Sequence, residues 1–442
     1  MKRTLFFILA LSFVSVCAAQ ESGKVVLDLQ TCIEMAKQHN LNIQKSGITV
    51  EQQRINHVQS KEDFLPSLSA NLGQNFYFGR SLNDENIYQP NNSASTTVGV
   101  NGSLTLFNGL QRLNTVKKAQ FDYNAALKDY QKQSDDICLQ VMSQYLNVLY
   151  YKRQLEIAKL QLELSQDQFR KTRTQVRAGS LPKGDLIEAQ AQVRSDEYGV
   201  VQAQSALQSQ LVSLGELIFI EDFDNFDITD EDQLPASDIL EMTVRDIYDN
   251  ALYLLPSVQA EELRIQSAER QIKIAKGAYS PSLTFNAGYS NSYLVIQDSP
   301  DNAAFLDQLK ANSAFSVGFS LNIPIFDRMQ TPNAVKSAKL SLQDQKLDFE
   351  IAKYNLYTAI QDAYNNARNA KSQMVAAEAA VKSNKEAYDY QKAKYESGTS
   401  SVYDYNQARL DYTEALSQQV QAKFEYVFRT KILSYYNGDL VF

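Results

Sequence analysis

The sequence predicts a mixed α/β membrane protein, internally duplicated, whose few strands close into a barrel only by pooling with copies of the same chain. Three observations carry this: four uncharged segments of strict two-residue alternation, two very long stretches free of Gly and Pro, and a repeat that presents each of these twice. A chain of 442 residues with 44% hydrophobic residues and 9 Pro can bury a core and lacks the composition of a disordered or collagen-like chain. Its long apolar run, Leu5 to Val16, falls short of the roughly 20 residues that a membrane-spanning helix needs, which excludes a helical transporter.

Residues 1–19 read as a signal peptide: Lys2 and Arg3, then the apolar run, then small residues suited to cleavage after Ala19. Cys17 would mark a lipoprotein leader, but Val16 precedes it where such cleavage wants a small residue. Cys32 and Cys138 then remain; both lie in helical patterns and read as buried thiols, since nothing in their spacing implies a disulfide. The formal net charge is -8, and losing Lys2 and Arg3 makes it more negative still. That balance argues against nucleic acid or an anionic lipid face as partner.

Ala36 to Pro66 lines up with Ala251 to Pro281 at a constant offset, pairing Ile43 with Val258, Gln44 with Gln259 and "LPSL" (65–68) with "SPSL" (280–283). From Phe107 onward, which faces Phe326, the offset is four positions longer and again constant, the change falling in one loop. Residues 20–217 and 251–442 are therefore two structural repeats, each reading helix, strand, loop, strand, very long helix, turn, helix. Residues 218–250 join them; Glu221 to Asp232 carries seven acidic residues in twelve and reads as a solvated linker. As a calcium loop it lacks the central Gly and the terminal Glu.

The strands are expected over 67–78, 96–107, 282–294 and 314–326. In the first, Leu68, Ala70, Leu72, Phe76 and Phe78 alternate with Ser67, Ser69, Asn71, Gly73 and Asn75; in the second, Val98, Val100, Leu104 and Leu106 alternate with Thr97, Gly99, Asn101, Ser103 and Thr105. Leu283, Phe285, Ala287 and Tyr289, then Phe315, Val317, Phe319, Leu321 and Ile323, do the same in the second half. Long, uncharged segments, apolar on one face and small and polar on the other, fit a transmembrane barrel better than a soluble sheet, whose strands are shorter and carry charge on the wet face. With no Trp in the chain, Tyr77, Phe78, Phe107, Tyr289, Tyr293 and Phe326 would supply the aromatic girdle. Four strands cannot close a barrel, so at least two chains must share one. The polar loops 79–95 and 296–313 would project on one side and the helices on the other.

Residues 113–178 and 333–397 contain no Gly or Pro, so each can run as one helix of about 98 Å. Val141, Val148, Leu155, Leu162, Phe169 and Val176 recur at heptad intervals, and Ile360, Ala367, Met374, Val381, Tyr388 and Tyr395 stand at the matching positions of the second repeat. Coiled-coil packing with one shared inward face follows. Both rods end in a turn, at Gly179 with Asp185 beyond it and at Gly398 with Asp404 beyond it; glycine stops a helix where φ turns positive, and an aspartate suits the positive start of the next. Plain helix hairpins would look the same.

"LDLQTCIEMAKQHNLNI", the strand openings "FLPSLSANLG" and "YSPSLTFNAGY", the strand ends "LTLFNGLQR" and "IPIFDRMQ" and the two turns resemble, in that doubled order, the TolC-type outer-membrane efflux protein family (the outer membrane factors) over nearly all of the mature chain. The resemblance implies a homotrimer with a 12-stranded β-barrel in outer-membrane lipid, an α-helical coiled-coil tunnel in the periplasm, and an equatorial belt from 20–35, 216–250 and the end of the chain. It also implies a periplasmic adaptor (membrane fusion protein) and an inner-membrane pump or secretion ATPase as partners. The family's periplasmic tips close like an iris. Asp404 matches an acidic gate position, Gln407 stands where some members carry a second Asp, Tyr395 and Asp185 match positions that form a tie, and Ser400 replaces a basic residue.

An enzyme finds little support. His39 and His57, the only histidines, read as one face of the first helix without a third metal ligand, and no P-loop or nucleophile motif is present, so no cofactor is implied. The resemblance thus implies a passive, gated exit duct of a tripartite efflux or type I secretion system in the outer membrane. A membrane-anchored coiled-coil stalk is the alternative reading, and the periplasmic adaptor itself, with one hairpin and lipoyl-like strands, fits the pattern less well. Six Met and two His offer no metal relay, and the cargo stays open.

Overall fold

The computed structural model describes residues 25–82, 86–223, 225–230, 238–297, 299–300 and 302–440; the expected leader, Cys17, and Asp224, Glu231 and Asp232 of the acidic run lie outside the described residues. The first half runs β1 (Val25–Leu27), α1 (Leu29–His39), α2 (Leu41–Glu62), β2 (Ser67–Tyr77), β3 (Arg80–Leu82), β4 (Tyr88–Pro90), β5 (Ser93–Asn108), α3 (Gln111–Arg177), α4 (Lys183–Ile218) and β6 (Phe226–Ile228). The second runs α5 (Val244–Leu254), α6 (Pro256–Gly277), β7 (Ser282–Ile296), α7 (Phe305–Ala311), β8 (Ala314–Asn322), α8 (Gln330–Glu396) and α9 (Val402–Asn437). The chain divides into two units: one holds residues up to Asn40 with Ile137–Ala236 and Ala370–Phe428, the other Leu41–Asp136, Ser237–Asn369 and Arg429–Phe442.

In the second unit β2, β5, β7 and β8 form one antiparallel sheet in that order. The register stacks apolar positions across all four strands, Leu72 opposite Val98, Val100 opposite Tyr289, and Phe285 between Leu104 and Phe319. The other face sets Asn71 opposite Gly99, Asn101 opposite Gly288 and Asn286 opposite Gly318, and Asn101 Nδ2 donates to Asn71 Oδ1 at 3.0 Å. Among the described residues nothing covers the apolar face: Leu68 is 78%, Leu72 76%, Phe315 74% and Phe319 69% exposed. The outer edges of β2 and β8 are unpaired among the described residues.

Three strand expectations need correction. A bulge between Thr105 and Phe107 sets Phe107, not Leu106, opposite Leu283, so Leu106 is the extra residue and Phe107 continues the apolar row. β8 ends at Asn322 rather than 326 because Pro324 has no N–H for the ladder. Tyr289 sits mid-sheet between Val100 and Phe315 rather than at a rim. The loop after β7 is partly ordered by α7: Gln308 accepts from the Leu294 N–H and donates to the Leu294 carbonyl at 2.9 and 2.8 Å, standing in for a strand partner.

The helices of this unit repeat the strand order. His57 of α2 stacks on Tyr123 of α3, Asp129 of α3 pairs with Arg264 of α6 at 2.5 Å, and Gln345 of α8 donates to Glu261 of α6 at 3.0 Å. The series α2-α3-α6-α8 therefore matches β2-β5-β7-β8, as each helix feeds or leaves its own strand.

The duplication reaches into backbone detail. The expected first helix of each repeat is broken in two, at Asn40 (ψ 121°) and at Leu255 (ψ 129°), which are equivalent positions of the two repeats. Pro256 forces the second break by excluding a helical conformation before it; at the first, the buried Asn40 side chain donates to the Leu217 carbonyl at 3.4 Å. His39 and His57 consequently lie on separate helices, not on one face. Where strand passes to long helix, Gly109 and Leu110 (φ 66° and 62°) are matched in the second repeat by Arg328 and Met329 (φ 54° and 66°). The preceding Asn108 and Asp327 cap the helix N-termini by accepting from Arg112 N and Thr331 N at 3.4 and 2.7 Å. These caps start the long helices at Gln111 and Gln330, slightly before the expected 113 and 333; Pro332 is tolerated because it falls in the first turn.

In the first unit β1 and β6 pair in parallel. Lys152 of α3 donates to the Ile228 carbonyl at 2.7 Å and pairs with Asp227 at 2.9 Å, while Tyr145 donates to the Thr229 carbonyl at 3.0 Å. Part of the expected linker is thus structured, because Phe226 and Ile228, on either side of Asp227, are buried. Of the heptad rows, Val141 and Val148 in this unit, and Ile360 and Ala367 in the other, are fully buried. Cys32 and Cys138 are buried thiols that form no disulfide, and burial, with Asp28 adding to it, pushes the Cys32 thiol up to about 12.

Iodoacetamide is therefore expected to leave both thiols unmodified in the folded protein and to label both after denaturation; rapid native labelling would contradict the packing. A methyl at Gly109 would collide with the Gly277 carbonyl oxygen in a backbone region hostile to side chains. Gly109→Ala should cost at least about 2 kcal/mol in unfolding experiments, whereas Arg328→Gly at the equivalent position should stabilise.

Candidate functional site

The two turns between long and returning helices close identically. Gly179 donates to the Val176 carbonyl and Ser180 to that of Gln175, at 3.1 and 3.0 Å; Gly398 donates to Tyr395 and Thr399 to Lys394, at 3.0 and 2.9 Å. This paired pattern with a left-handed residue (φ 75° at Gly179, 73° at Gly398) ends a helix while satisfying its last carbonyls. No atom lies within 4 Å of a Cβ added at either glycine, so conformation rather than crowding demands glycine there.

The returning helices begin differently. α4 starts at Pro182 without a side-chain cap, and Asp185 lies half-buried in its first turn. On α9, Ser401 caps: Asp404 N donates to Ser401 Oγ at 3.1 Å, and Ser401 Oγ donates to Asp404 Oδ2 at 2.7 Å. Asp404 is exposed but spends one carboxylate oxygen on this cap. Gln407, one turn on and also exposed, donates to Asp411 at 2.7 Å.

Tyr395 is buried, and its hydroxyl lies 3.4 Å from Thr172 Oγ1 rather than in a hydrogen bond with Asp185 among the described residues. Its ring stacks on Tyr405 at 5.3 Å, which packs on Tyr388 at 5.8 Å, which stacks on Tyr412 at 5.7 Å. With Val402 these rings form an apolar core under the second turn, and burial raises the Tyr405 hydroxyl above its ordinary value. Lys171 and Glu396 tie α3 to α8 at 2.7 Å. The hydrogen bond from Lys171, and then its charge, hold the Glu396 carboxyl below its ordinary value. The tie is therefore in force above the ordinary carboxylate range and is released as pH falls through the lowered value. Being half-exposed, it contributes less than about 1 kcal/mol.

Sequence reasoning missed two features here. The tyrosine core is written as two pairs with heptad spacing, Tyr388/Tyr395 and Tyr405/Tyr412, on either side of the turn. The second is Arg409, fully buried, whose Nη1 donates to Asp196 Oδ2 and to the Gln161 carbonyl, both at 3.1 Å, while Nε and Nη2 are buried without a protein partner. Arg409 lies one helical turn beyond Tyr405 and Asp196 one heptad beyond the buried Ala189, so both fall on inward faces where a charge requires an opposite charge.

A family model described as "Outer membrane efflux protein" matches residues 32–218 and 247–428. The chain is 25% identical over 371 residues to the outer membrane protein TolC of Vibrio cholerae serotype O1, covering 83% of this chain and 81% of that one. It is 22% identical over 349 residues to the outer membrane efflux protein BepC of Brucella suis, covering 78% and 69%. The solved structure of CusC superposes with a TM-score of 0.76 at 17% identity, over 94% of this chain and 92% of that one, which establishes likeness of fold.

Removing one member of a buried ion pair leaves the other uncompensated. Arg409→Met should therefore destabilise the detergent-solubilised protein by about 3 kcal/mol, and adding Asp196→Leu should recover most of the loss. A single variant as stable as the parent would mean that the pair is not buried in solution.

Proposed function

Because the chain belongs to the outer membrane efflux protein family, we propose that it is the outer-membrane exit duct of a tripartite efflux or type I secretion system, assembled as a homotrimer. The observation that carries this is the four-stranded sheet with one bare apolar face, one polar uncharged face and two unpaired edges. In lipid each unpaired backbone group costs several kcal/mol, and three copies joined edge to edge would give a closed barrel of twelve strands. Lipid would meet Leu68, Leu72, Phe315 and Phe319; water would meet the Ser, Asn and Gly face, which has no charge to hold a passing solute.

The long helices carry their heptad rows inward, and the remaining polar surface suits the wall of a water-filled passage. Gating falls to the tips. Asp404 from three copies would form one acidic ring, Gln407 would not add a second, and Gly179, Gly398, Asp185 and Tyr395 set the turns and packing around it. With Ser400 in place of a basic residue, the tyrosine core and the Lys171–Glu396 tie are the contacts that hold the closed state. A periplasmic adaptor would engage the tips, and an inner-membrane pump or secretion ATPase would supply the energy. The chain's own part is passive, which agrees with its lack of a nucleotide-binding or nucleophile motif.

In planar bilayers the purified protein should pass a small cation-favouring current, and Asp404→Ala should raise conductance and weaken the cation preference. No current from correctly folded protein would favour a stalk; unchanged conductance in Asp404→Ala would remove that residue from the gate.

A further inference from the structure

The segment that joins β7 to β8 is not a plain polar loop, because it contains α7, whose sequence is FLDQLKA. At about 100° per residue, Phe305, Leu309 and Leu306 share one arc of this helix, bordered by Gln308 on one side and Lys310 on the other. Gln308 is buried, whereas Phe305 and Leu306 are 51% and 67% exposed. The corresponding loop of the first half carries the β3–β4 hairpin instead, so duplication does not account for the helix.

The contacts of α7 fix the side of the sheet on which this arc opens. The register of β7 is unbroken from Phe285 to Tyr293, so Asn291 and Tyr293 project on the same face as Phe285 and Tyr289. Asn291 Nδ2 donates to the Tyr289 hydroxyl on that face at 3.2 Å and to the Leu309 carbonyl of α7 at 2.7 Å. The Tyr293 ring meets Phe305 edge to face at 5.0 Å. Gln308 fastens the helix to the edge of β7 through Leu294, and Asn312 donates to the Ser292 carbonyl at 2.8 Å. α7 therefore lies on the apolar side of the sheet, beside the part of β7 that runs past the start of β8 at Ala314. Its arc continues the exposed apolar row of β8 beyond Phe315.

The strands also fix its height. From Leu283 to Tyr293 a strand climbs about 34 Å, which at the usual barrel tilt spans about 26 Å along the membrane normal, close to the roughly 25 Å apolar band of such barrels. The side chains change at the same level. Leu72 and Val98 share a row of the apolar face with Asn291, but in the next row Gln74, Thr96 and Tyr293 all carry hydrogen-bonding groups, and Thr96 donates to Gln74. Such a row belongs where acyl chains give way to headgroups.

We propose that α7 is an interfacial lipid anchor. It lies in the leaflet on the loop side, at the boundary between acyl chains and headgroups, with Leu306 and Phe305 in the acyl layer and Lys310 reaching back to water. Lipid is the partner because the arc is continuous with the face that β7 and β8 turn to the membrane. A helix held there sets how deep the barrel rides, since any outward shift would expose Leu306 and Phe305 to water. The anchor rests on the reading of the sheet as part of a membrane barrel, and it adds a lipid-binding element outside the strands.

The chain has no Trp, so one introduced indole reports on one place. In the full-length oligomer reconstituted into phosphatidylcholine vesicles, Leu306→Trp should lose most of its emission when the lipid is brominated near the headgroup, and much less when it is brominated near the chain ends. Phe315→Trp, deeper in the band, should show the reverse order, and Asp307→Trp, on the opposite side of α7, should be quenched little by either lipid. Phe305→Trp keeps an aromatic ring on Tyr293 and gives a second reading that should follow Leu306→Trp. Quenched Phe315→Trp with both apolar α7 reporters unquenched overturns the anchor and leaves the barrel standing; blue-shifted emission in that case would mean that a neighbouring chain covers the arc. Strongest quenching of the α7 reporters by chain-end bromine also overturns the interfacial placement. If Phe315→Trp itself escapes both lipids, the failure is that of the membrane barrel.

Discussion

Everything in this molecule answers to one constraint: a strand edge facing lipid must be hydrogen-bonded, because the hydrocarbon offers no water to satisfy it. The chain supplies four strands, too few to curl round and meet, with apolar side chains already committed to one face along every strand. Among the described residues, the free edge that matches that of β8 in length, polarity and pattern is the edge of β2. One chain cannot bring its own two together across a sheet of four, and the proposed assembly takes the missing partner from another copy. From that follow the bare apolar face, the absence of charge in all four strands, and helices arranged in the order of the strands that they feed.

Duplication is the economical route to such an assembly, and the two halves show how one geometry can be met with different residues. The left-handed pair between strand and helix uses glycine at Gly109, where the backbone of Gly277 presses close, but accepts Arg328 in the second half. The helix break is enforced by Pro256 in one half and accommodated by Asn40 in the other. The turns share every backbone hydrogen bond, yet the helices that return from them are started by Pro182 in one and by the Ser401–Asp404 cap in the other. That asymmetry fits the proposed gate, in which the second hairpin presents an exposed, capped Asp404 and the first a half-buried Asp185. Asp404 also fastens the first turn of its own helix through Ser401, so in the proposed gate neutralising it would loosen that cap as well.

Periodicity made the strands and rods readable, because alternation and heptads are properties of single segments. Leu68 to Phe76 could be assigned to one face without knowledge of any neighbour, as could Val141 to Val176. What stayed hidden depends on pairs of segments. The bulge at Leu106 exists only relative to β7, and β6 only relative to β1, so an acidic stretch that looked solvated conceals two buried side chains. At the tips the glycines were plain from their spacing, while the Arg409–Asp196 pair joins residues far apart in the chain with no local mark beyond an inward-facing charge.

The central claim is that the sheet is completed by other copies of the chain in a membrane. Sedimentation equilibrium of the mature protein in a density-matched detergent tests it most directly: the account predicts a single species of three chains that precipitates when detergent is withdrawn. A stable single chain in detergent-free buffer, with its sheet intact, would contradict it.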